Sequence, residues 1–201
     1  MGYESGKWTL DSIYFRVMCN KLKYILSASD TGYGKVIDIG ARNHYYSRWM
    51  RYHSFLSLDS DAATGCDIVA DASMIPADSN SFDTVLCISV LEHLYEPERA
   101  VYEFHRVLKK GGRVIISVPF LHPYHADPQD YHRFTEDTLK KMFSCFRIVK
   151  IVPFGNRCHA LWQCLAYGRM AYIFGWFNSL VAKINAQDDK FPLGFIVVAM
   201  K

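Results

Sequence analysis

From Pro119 to Thr135 the chain reads Pro-Phe-Leu-His122-Pro-Tyr-His125-Ala-Asp127-Pro-Gln-Asp130-Tyr-His132-Arg133-Phe-Thr, crowding three histidines, two aspartates and an arginine together. An imidazole titrates near neutral pH, so His125 is a candidate to take a proton from a hydroxyl or amine. His93, which directly follows Glu92, is a second candidate for the same task. His122, His125 and Asp127 also have metal-ligand types, but prolines stiffen the run and no helical face aligns them, so no metal site is expected. Asp130, Arg133 and Thr135 have a structural use too, as an ion pair and a helix cap.

A second set of residues suits a nucleotide. The run Lys35-Val-Ile-Asp38-Ile stops at Gly40, and a glycine where a strand turns toward a helix lets backbone approach a ligand. Asp59 comes nineteen positions after Gly40, a spacing at which the acid ending a second strand accepts ribose hydroxyls. Asp71 ends a third run. Either acid alone reads equally well as a solvated turn residue; two acids beside a glycine turn carry more weight. Hydrogen bonds to a charged group contribute about 1.5 to 3 kcal/mol each, which would make Asp59 a main anchor. The nicotinamide pattern G-x-G-x-x-G is absent, since the chain has Gly40-Ala-Arg-Asn-His-Tyr, and the only Tyr-x-x-x-Lys pair is Tyr3 and Lys7. Hydride transfer is therefore disfavoured.

These residues need strands and helices to place them. Apolar positions from Leu10 to Ile25 recur at helical spacing, giving a leading helix within residues 1–34. Strands follow at 35–39, 54–59, 66–71, 81–89, 113–119, 146–152 and 191–200. Between them, helices are expected over 45–52, over 96–109 with Gly111-Gly112 as its end, and over 135–143 with Thr135 as cap. Strands alternating with helices, and nearly all aliphatic as in Arg113 to Pro119, indicate an α/β doubly wound, Rossmann-like parallel sheet covered on both faces. The chain reads as one domain, with residues 35–152 as its ligand-binding core and 153–190 as an apolar insertion before the last strand. In such sheets ligands sit beyond the carboxyl ends of the strands, at the switch point.

Composition narrows the class. The 201 residues are 50% apolar and 21% charged, enough for a buried core. The net charge of +3 has no basic block, so nucleic acid is not an expected partner. Six cysteines without a C-x-x-C pair read as reduced, mostly buried thiols of a cytoplasmic protein. The first residues lack the apolar stretch of a secretory signal, and Gly6 stands where myristoylation wants Ser or Thr, so neither export nor a lipid anchor is expected.

The series Val36-Ile-Asp-Ile-Gly-Ala-Arg-Asn, Leu-Asp59, Asp-Ile-Val-Ala-Asp71-Ala-Ser-Met-Ile-Pro76, Ser81-Phe-Asp-Thr-Val-Leu-Cys-Ile-Ser-Val-Leu-Glu92-His93 and Val107-Leu-Lys-Lys-Gly-Gly-Arg-Val-Ile-Ile-Ser-Val-Pro119 resembles the class I S-adenosylmethionine-dependent methyltransferases of the type 11 group. The resemblance spans about residues 35–145 and implies a seven-stranded sheet, mostly parallel, with an antiparallel last strand. It implies S-adenosylmethionine as cofactor and S-adenosylhomocysteine as product. By that likeness Asp38, Gly40 and Ala41 would line the methionine side, Asp59 the ribose, Asp71 and Ala72 the adenine, and Ser89 to His93 the floor beneath the sulfonium. The family's G-x-G-x-G turn is replaced by Gly40-Ala-Arg42-Asn-His44. Tyr45-Tyr46 resembles the aromatic pair of a branch found beside glycan-building enzymes, which also carries a similar histidine loop.

The expected activity is methyl transfer to oxygen or nitrogen of a small molecule or of a glycan or glycolipid precursor. His125 and His93 are the candidate bases. The alternative is a non-catalytic scaffold of the same fold. The apolar run 159–184 contains Arg169 and is not expected to span a bilayer; it reads as core helices, a membrane-surface face or a homodimer interface.

Overall fold

In the computed structural model, residues 12–28, 32–41, 45–126, 129–165, 177–184 and 190–201 are described. Arg42 to His44, Asp127 and residues 166–176 of the apolar run, with Arg169, lie outside them. Seven strands form one sheet: β1 (Lys35–Ile39), β2 (Ser54–Asp59), β3 (Ile68–Val69), β4 (Phe82–Ile88), β5 (Leu108–Pro119), β6 (Ile148–Phe154) and β7 (Gly194–Met200). Their order is β3-β2-β1-β4-β5-β7-β6. The first five pair in parallel, whereas β7 runs antiparallel to both β5 and β6. This is the α/β sheet expected, including its antiparallel last strand. The chain leaves the β3 edge and re-enters at β4 beside β1, which puts the switch point between the ends of β1 and β4.

Alternating side chains divide the sheet into two buried faces. Val36, Leu86, Ile115 and Ile196 meet helix α1 (Ile13–Ser27). Tyr14, Met18, Leu22 and Leu26, spaced four apart, are the stripe that α1 buries on them. Ser12 caps this helix by accepting the Phe15 N–H at 3.2 Å. On the other face, Ile37, Val85, Val114 and Ile116 meet Ala100, Val101, Phe104 and Val107 of α2 (Pro97–Val107) and Leu139 of α3 (Glu136–Met142). Each fully buried large aliphatic or aromatic side chain contributes about 1.5–3 kcal/mol. Proline opens α2 where its missing N–H costs nothing, and Thr135 caps α3 as expected, accepting the Thr138 N–H at 3.2 Å.

Several boundaries differ from the sequence reading. Instead of a helix over 45–52 there is a single 3-10 turn, Ser47–Trp49, with no side-chain cap. The Tyr45 ring packs edge-on against Tyr46 and Trp49, which meet each other at a tilt, and the Arg48 guanidinium lies 4.1 Å from the centre of the Tyr45 ring. Aromatic side chains lose rotamer freedom in a helix, and here tertiary contact decides. β3 shrinks to two residues because Asp67 spends its carboxylate on the N–H and hydroxyl of Ser57, at 2.8 and 2.7 Å. Gly111 and Gly112 do not end α2. They sit within β5, where the register slips between Phe82↔Leu108 and Thr84↔Arg113 and Gly111 adopts φ +78°.

The cysteines are also less buried than expected. Cys19 and Cys87 are buried, whereas Cys145, Cys158 and Cys164 are exposed. Of the apolar run, the described residues form α4 (Arg157–Leu165) and a helical turn at Asn178–Val181. Here His159, Gln163 and Asn178 face inward, while Leu161, Leu165 and Leu180 face out. No described helix is long and apolar enough to cross a membrane.

Candidate cofactor and acceptor site

A cavity of about 850 Å³ opens at the switch point. Asp38, Gly40, Ala41, Asp59, Asp71, Ala72 and Ser89, the seven residues assigned to cofactor contact from sequence, all line it. They arrive on the ends of β1, β2 and β4 and on the segment after β3. At the turn, Gly40 holds φ +71° and donates its N–H to Leu58 O at 2.7 Å. A β-carbon there would fall 2.4 Å from Val90 Cγ2, so the position requires glycine both for its conformation and for its space.

The three acids differ in character. Asp38 is buried, and burial pushes its carboxyl up from the usual carboxylate range. Asp59 commits one oxygen to the Asp61 N–H at 2.9 Å, and its other oxygen has no partner among the described residues. Asp71 uses one oxygen twice, for the Ser73 N–H at 2.7 Å and the Ser73 hydroxyl at 2.6 Å. It is thus a turn residue as well as a wall of the cavity. Ser89, just past β4, holds φ +54°, uncommon for a residue with a side chain. The Ser89 N–H donates to Ser117 O at 3.0 Å, which ties this turn to β5.

His93 lines the same cavity; His125 lies beside it rather than on the cavity wall, with ring centres 5.0 Å apart. Behind them a polar cluster is packed. Asp130 takes both terminal nitrogens of Arg133, at 2.5 and 2.6 Å, and accepts the His125 backbone N–H at 2.9 Å. The Asp130–Arg133 pair expected from sequence is therefore present. His125 Nδ1 lies 3.3 Å from Asp130 Oδ2, and its Nε2 lies 3.8 Å from Glu92 Oε1. Burial raises the carboxyl of Asp130, but the Arg133 guanidinium and the His125 N–H outweigh it and hold the group at about 2. Burial, with the neighbouring charge of His125, drives His122 down to about 3.

Of the other lining residues, only Tyr45 and Tyr46 carried a signal in the sequence, as the aromatic pair of the resemblance. Tyr14, Phe15 and Met18 of α1 form part of the wall, joined by Tyr45 and Tyr46. Burial first, then the Glu92 charge, pushes the Tyr14 hydroxyl up. Tyr95 and Tyr131 also line the cavity, with ring centres 5.6 Å apart and both rings exposed. Glu92 lies in the Ser89 to His93 stretch that the resemblance puts beneath the sulfonium, with no role of its own implied there. Its side chain is fully buried and neither carboxylate oxygen accepts a hydrogen bond from the described residues.

Residues 37–116 match the methyltransferase-domain family. The demethylmenaquinone methyltransferase of Clavibacter sepedonicus is 45% identical over 47 residues, 23% of this chain and 19% of that protein. The chain thus matches about a fifth of the length of this curated relative. A methyltransferase structure from Archaeoglobus fulgidus superposes with a TM-score of 0.62 at 17% identity, covering 92% of both chains. The 1,6-didemethyltoxoflavin-N1-methyltransferase of Burkholderia thailandensis, solved with S-adenosylhomocysteine, gives 0.58 at 17% identity, covering 96% of this chain and 80% of that one. At these identities the structural likeness is one of fold. By its strand order and by the match across its central strands, the chain has the class I methyltransferase fold.

Proposed function

We propose that the protein is an S-adenosylmethionine-dependent methyltransferase acting on oxygen or nitrogen of a small molecule, or of a sugar in a glycan or glycolipid precursor. One observation carries this reading: seven residues dispersed from Asp38 to Ser89 converge on a single cavity at the switch point. The residues suit the cofactor. Gly40 offers backbone where any β-carbon would collide with Val90, Asp59 offers a carboxylate oxygen for ribose hydroxyls, and Ala72 is a small wall for the adenine. When bound, the cofactor supplies an electrophilic methyl carbon on a cationic sulfur.

The chain's task is alignment and exclusion of water, since positioning can supply about 7–11 kcal/mol in favourable cases. His93, on the cavity wall, is the imidazole placed to receive a proton from the acceptor, with His125 backing it. Tyr95 and Tyr131 flank the acceptor's path. The short match to a demethylmenaquinone methyltransferase supports the reaction class and does not choose the acceptor.

The test is calorimetric titration of S-adenosylhomocysteine into wild type and Asp59→Ala. Micromolar binding that falls about 10- to 100-fold in the variant is expected, matching the loss of about 1.5–3 kcal/mol in charged hydrogen bonds. Absence of binding to wild type would favour the scaffold reading.

A further inference from the structure

We propose that Glu92, His93 and His125 form a binding site for a divalent transition-metal ion of the Zn²⁺ type at the acceptor end of the cavity. One donor atom from each residue lies within 4.8 Å of the other two. Two imidazoles and one carboxylate are a ligand set for zinc and neighbouring divalent metals, and three protein ligands leave a position open. Donors about 2.1 Å from a tetrahedral ion stand about 3.4 Å apart, so closing the trio takes about 1 Å of side-chain adjustment.

The carboxylate itself supplies the second observation. Glu92 is fully buried, and neither oxygen has a hydrogen-bond partner among the described residues. A buried, unbonded carboxylate is costly unless it takes up a proton or a cation shares its surroundings; Arg133 supplies charge at a distance, and a bound ion would supply it directly. The sequence does not leave such a group there by packing alone, since Glu92 sits in a tight 3-10 turn, Leu91–His93, whose backbone is bonded on both sides. Its carbonyl accepts the N–H groups of Tyr131 and His132, at 2.8 and 3.2 Å. The carboxylate is thereby held in place facing His125.

The histidines are oriented as ligands are. His93 Nδ1 bonds to the Gln129 carbonyl, which fixes that nitrogen as N–H and leaves the lone pair on Nε2. His125 Nδ1 lies 3.1 Å from both the Pro123 carbonyl and His122 Nδ1 and 3.3 Å from the Asp130 carboxylate, itself clamped by Arg133, while Nε2 faces Glu92. A carbonyl behind one imidazole and a carboxylate behind the other is the outer-shell arrangement that sets tautomer and basicity in metal sites. Since His93 lines the cavity, the open position faces the acceptor's side.

The site's existence does not depend on the methyltransferase reading; its use does. Within that reading the ion selects an oxygen acceptor, lowering the pKa of a bound hydroxyl so that its proton passes to solvent. With the ion bound the two imidazole lone pairs are ligands and the acceptor's proton passes to solvent; in the metal-free protein His93 is the imidazole placed to receive it.

The experiment uses the full chain stripped of metal, titrated with Zn²⁺ by calorimetry and with Co²⁺ by visible absorption. One ion per chain is expected. Glu92→Gln and His125→Asn, checked for fold by circular dichroism, should each lose at least 100-fold in affinity, about 2.7 kcal/mol. Asp130→Asn, a positioning variant, should lose about 10- to 100-fold while keeping the cobalt spectrum. If Glu92→Gln does not fold, the half-buried His93→Ala takes its place with the same expectation. Absence of stoichiometric binding to wild type, or unchanged affinity in the variants, overturns the site and leaves Glu92 and His125 as an ion pair. S-adenosylhomocysteine titrated into the same samples separates the two claims. Nucleoside binding without metal binding overturns only the metal site, and metal binding without nucleoside overturns only the methyltransferase reading.

Discussion

Gly40 and Val90 stand so close across the floor of the crevice that a β-carbon on the first would lie 2.4 Å from Cγ2 of the second. Gly40 also holds φ +71°. Gly40→Ala therefore combines a left-handed penalty with overpacking, and should cost about 2–4 kcal/mol of stability. Urea unfolding checks the stability. The affinity for S-adenosylhomocysteine should fall at least about tenfold in the folded fraction, one decade being about 1.4 kcal/mol.

Asp59 and Asp71 should not be equal in cofactor binding. Asp71 has one oxygen doubly occupied by Ser73, so Asp71→Asn keeps the turn acceptor and changes little around it. Asp59→Asn should weaken S-adenosylhomocysteine by about tenfold or more, and Asp71→Asn by less than about threefold. Parallel calorimetry on the two variants decides the order; a larger loss at Asp71 would reverse the assignment of ribose and adenine ends.

Acid should destabilise the metal-free protein beginning well above the carboxylate range. His122 has an ordinary value of 6.5, which burial and His125 drive to about 3. The unfolded chain therefore takes up a proton that the folded chain refuses. Stability is full above about pH 6.5 and lost as pH falls toward 3, amounting to about 2 kcal/mol by pH 5. Asp130, held at about 2, adds its own loss only as pH falls below its ordinary value of 3.8. Urea titrations at pH 7 and pH 5 should show this slope in wild type and a flatter one in His122→Gln.

Arg106 on α2 fastens the segment that carries the adenine-side residues. Its guanidinium donates to Ala77 O at 2.7 Å, to Ile75 O at 2.8 Å and to Glu103, which in turn accepts the Ile75 N–H at 2.9 Å. Arg106→Ala leaves two carbonyls without their donor and the Glu103 carboxylate with the Ile75 N–H alone. It should cost about 2–3 kcal/mol in thermal or chemical unfolding. Nucleoside affinity should drop as well, because Asp71 and Ala72 open the same segment.

The strand ends were legible because each aliphatic run stops abruptly at a glycine, an acid or, after β4, a serine, and a parallel sheet makes such stops converge. Gly40, Asp59, Asp71 and Ser89 are therefore readable from order and spacing alone. The roof was not legible. Tyr14 and Met18 have the same helical periodicity whether they pack on a sheet or overhang a cavity, and they do both. Glu92 was hidden by its residue type, since glutamate in a short turn suggests solvent rather than full burial. The neighbouring of His93 and His125 depends on a loop folding back from β5 onto the end of β4, a contact between segments about thirty residues apart that no local pattern encodes. The aromatic run at Tyr45 to Trp49 misled in the opposite sense, because apolar spacing suggested a helix where ring packing left one tight turn.

The strand translated after the other six is bonded on both flanks by strands made before it, β5 on one side and β6 on the other. Until Gly194 to Met200 leave the ribosome, β6 has no place in the sheet and β5 shows a bare, aliphatic edge. Nascent chains stalled upstream of that segment should therefore bind chaperones or aggregate, whereas chains in which it has emerged close the sheet in one step.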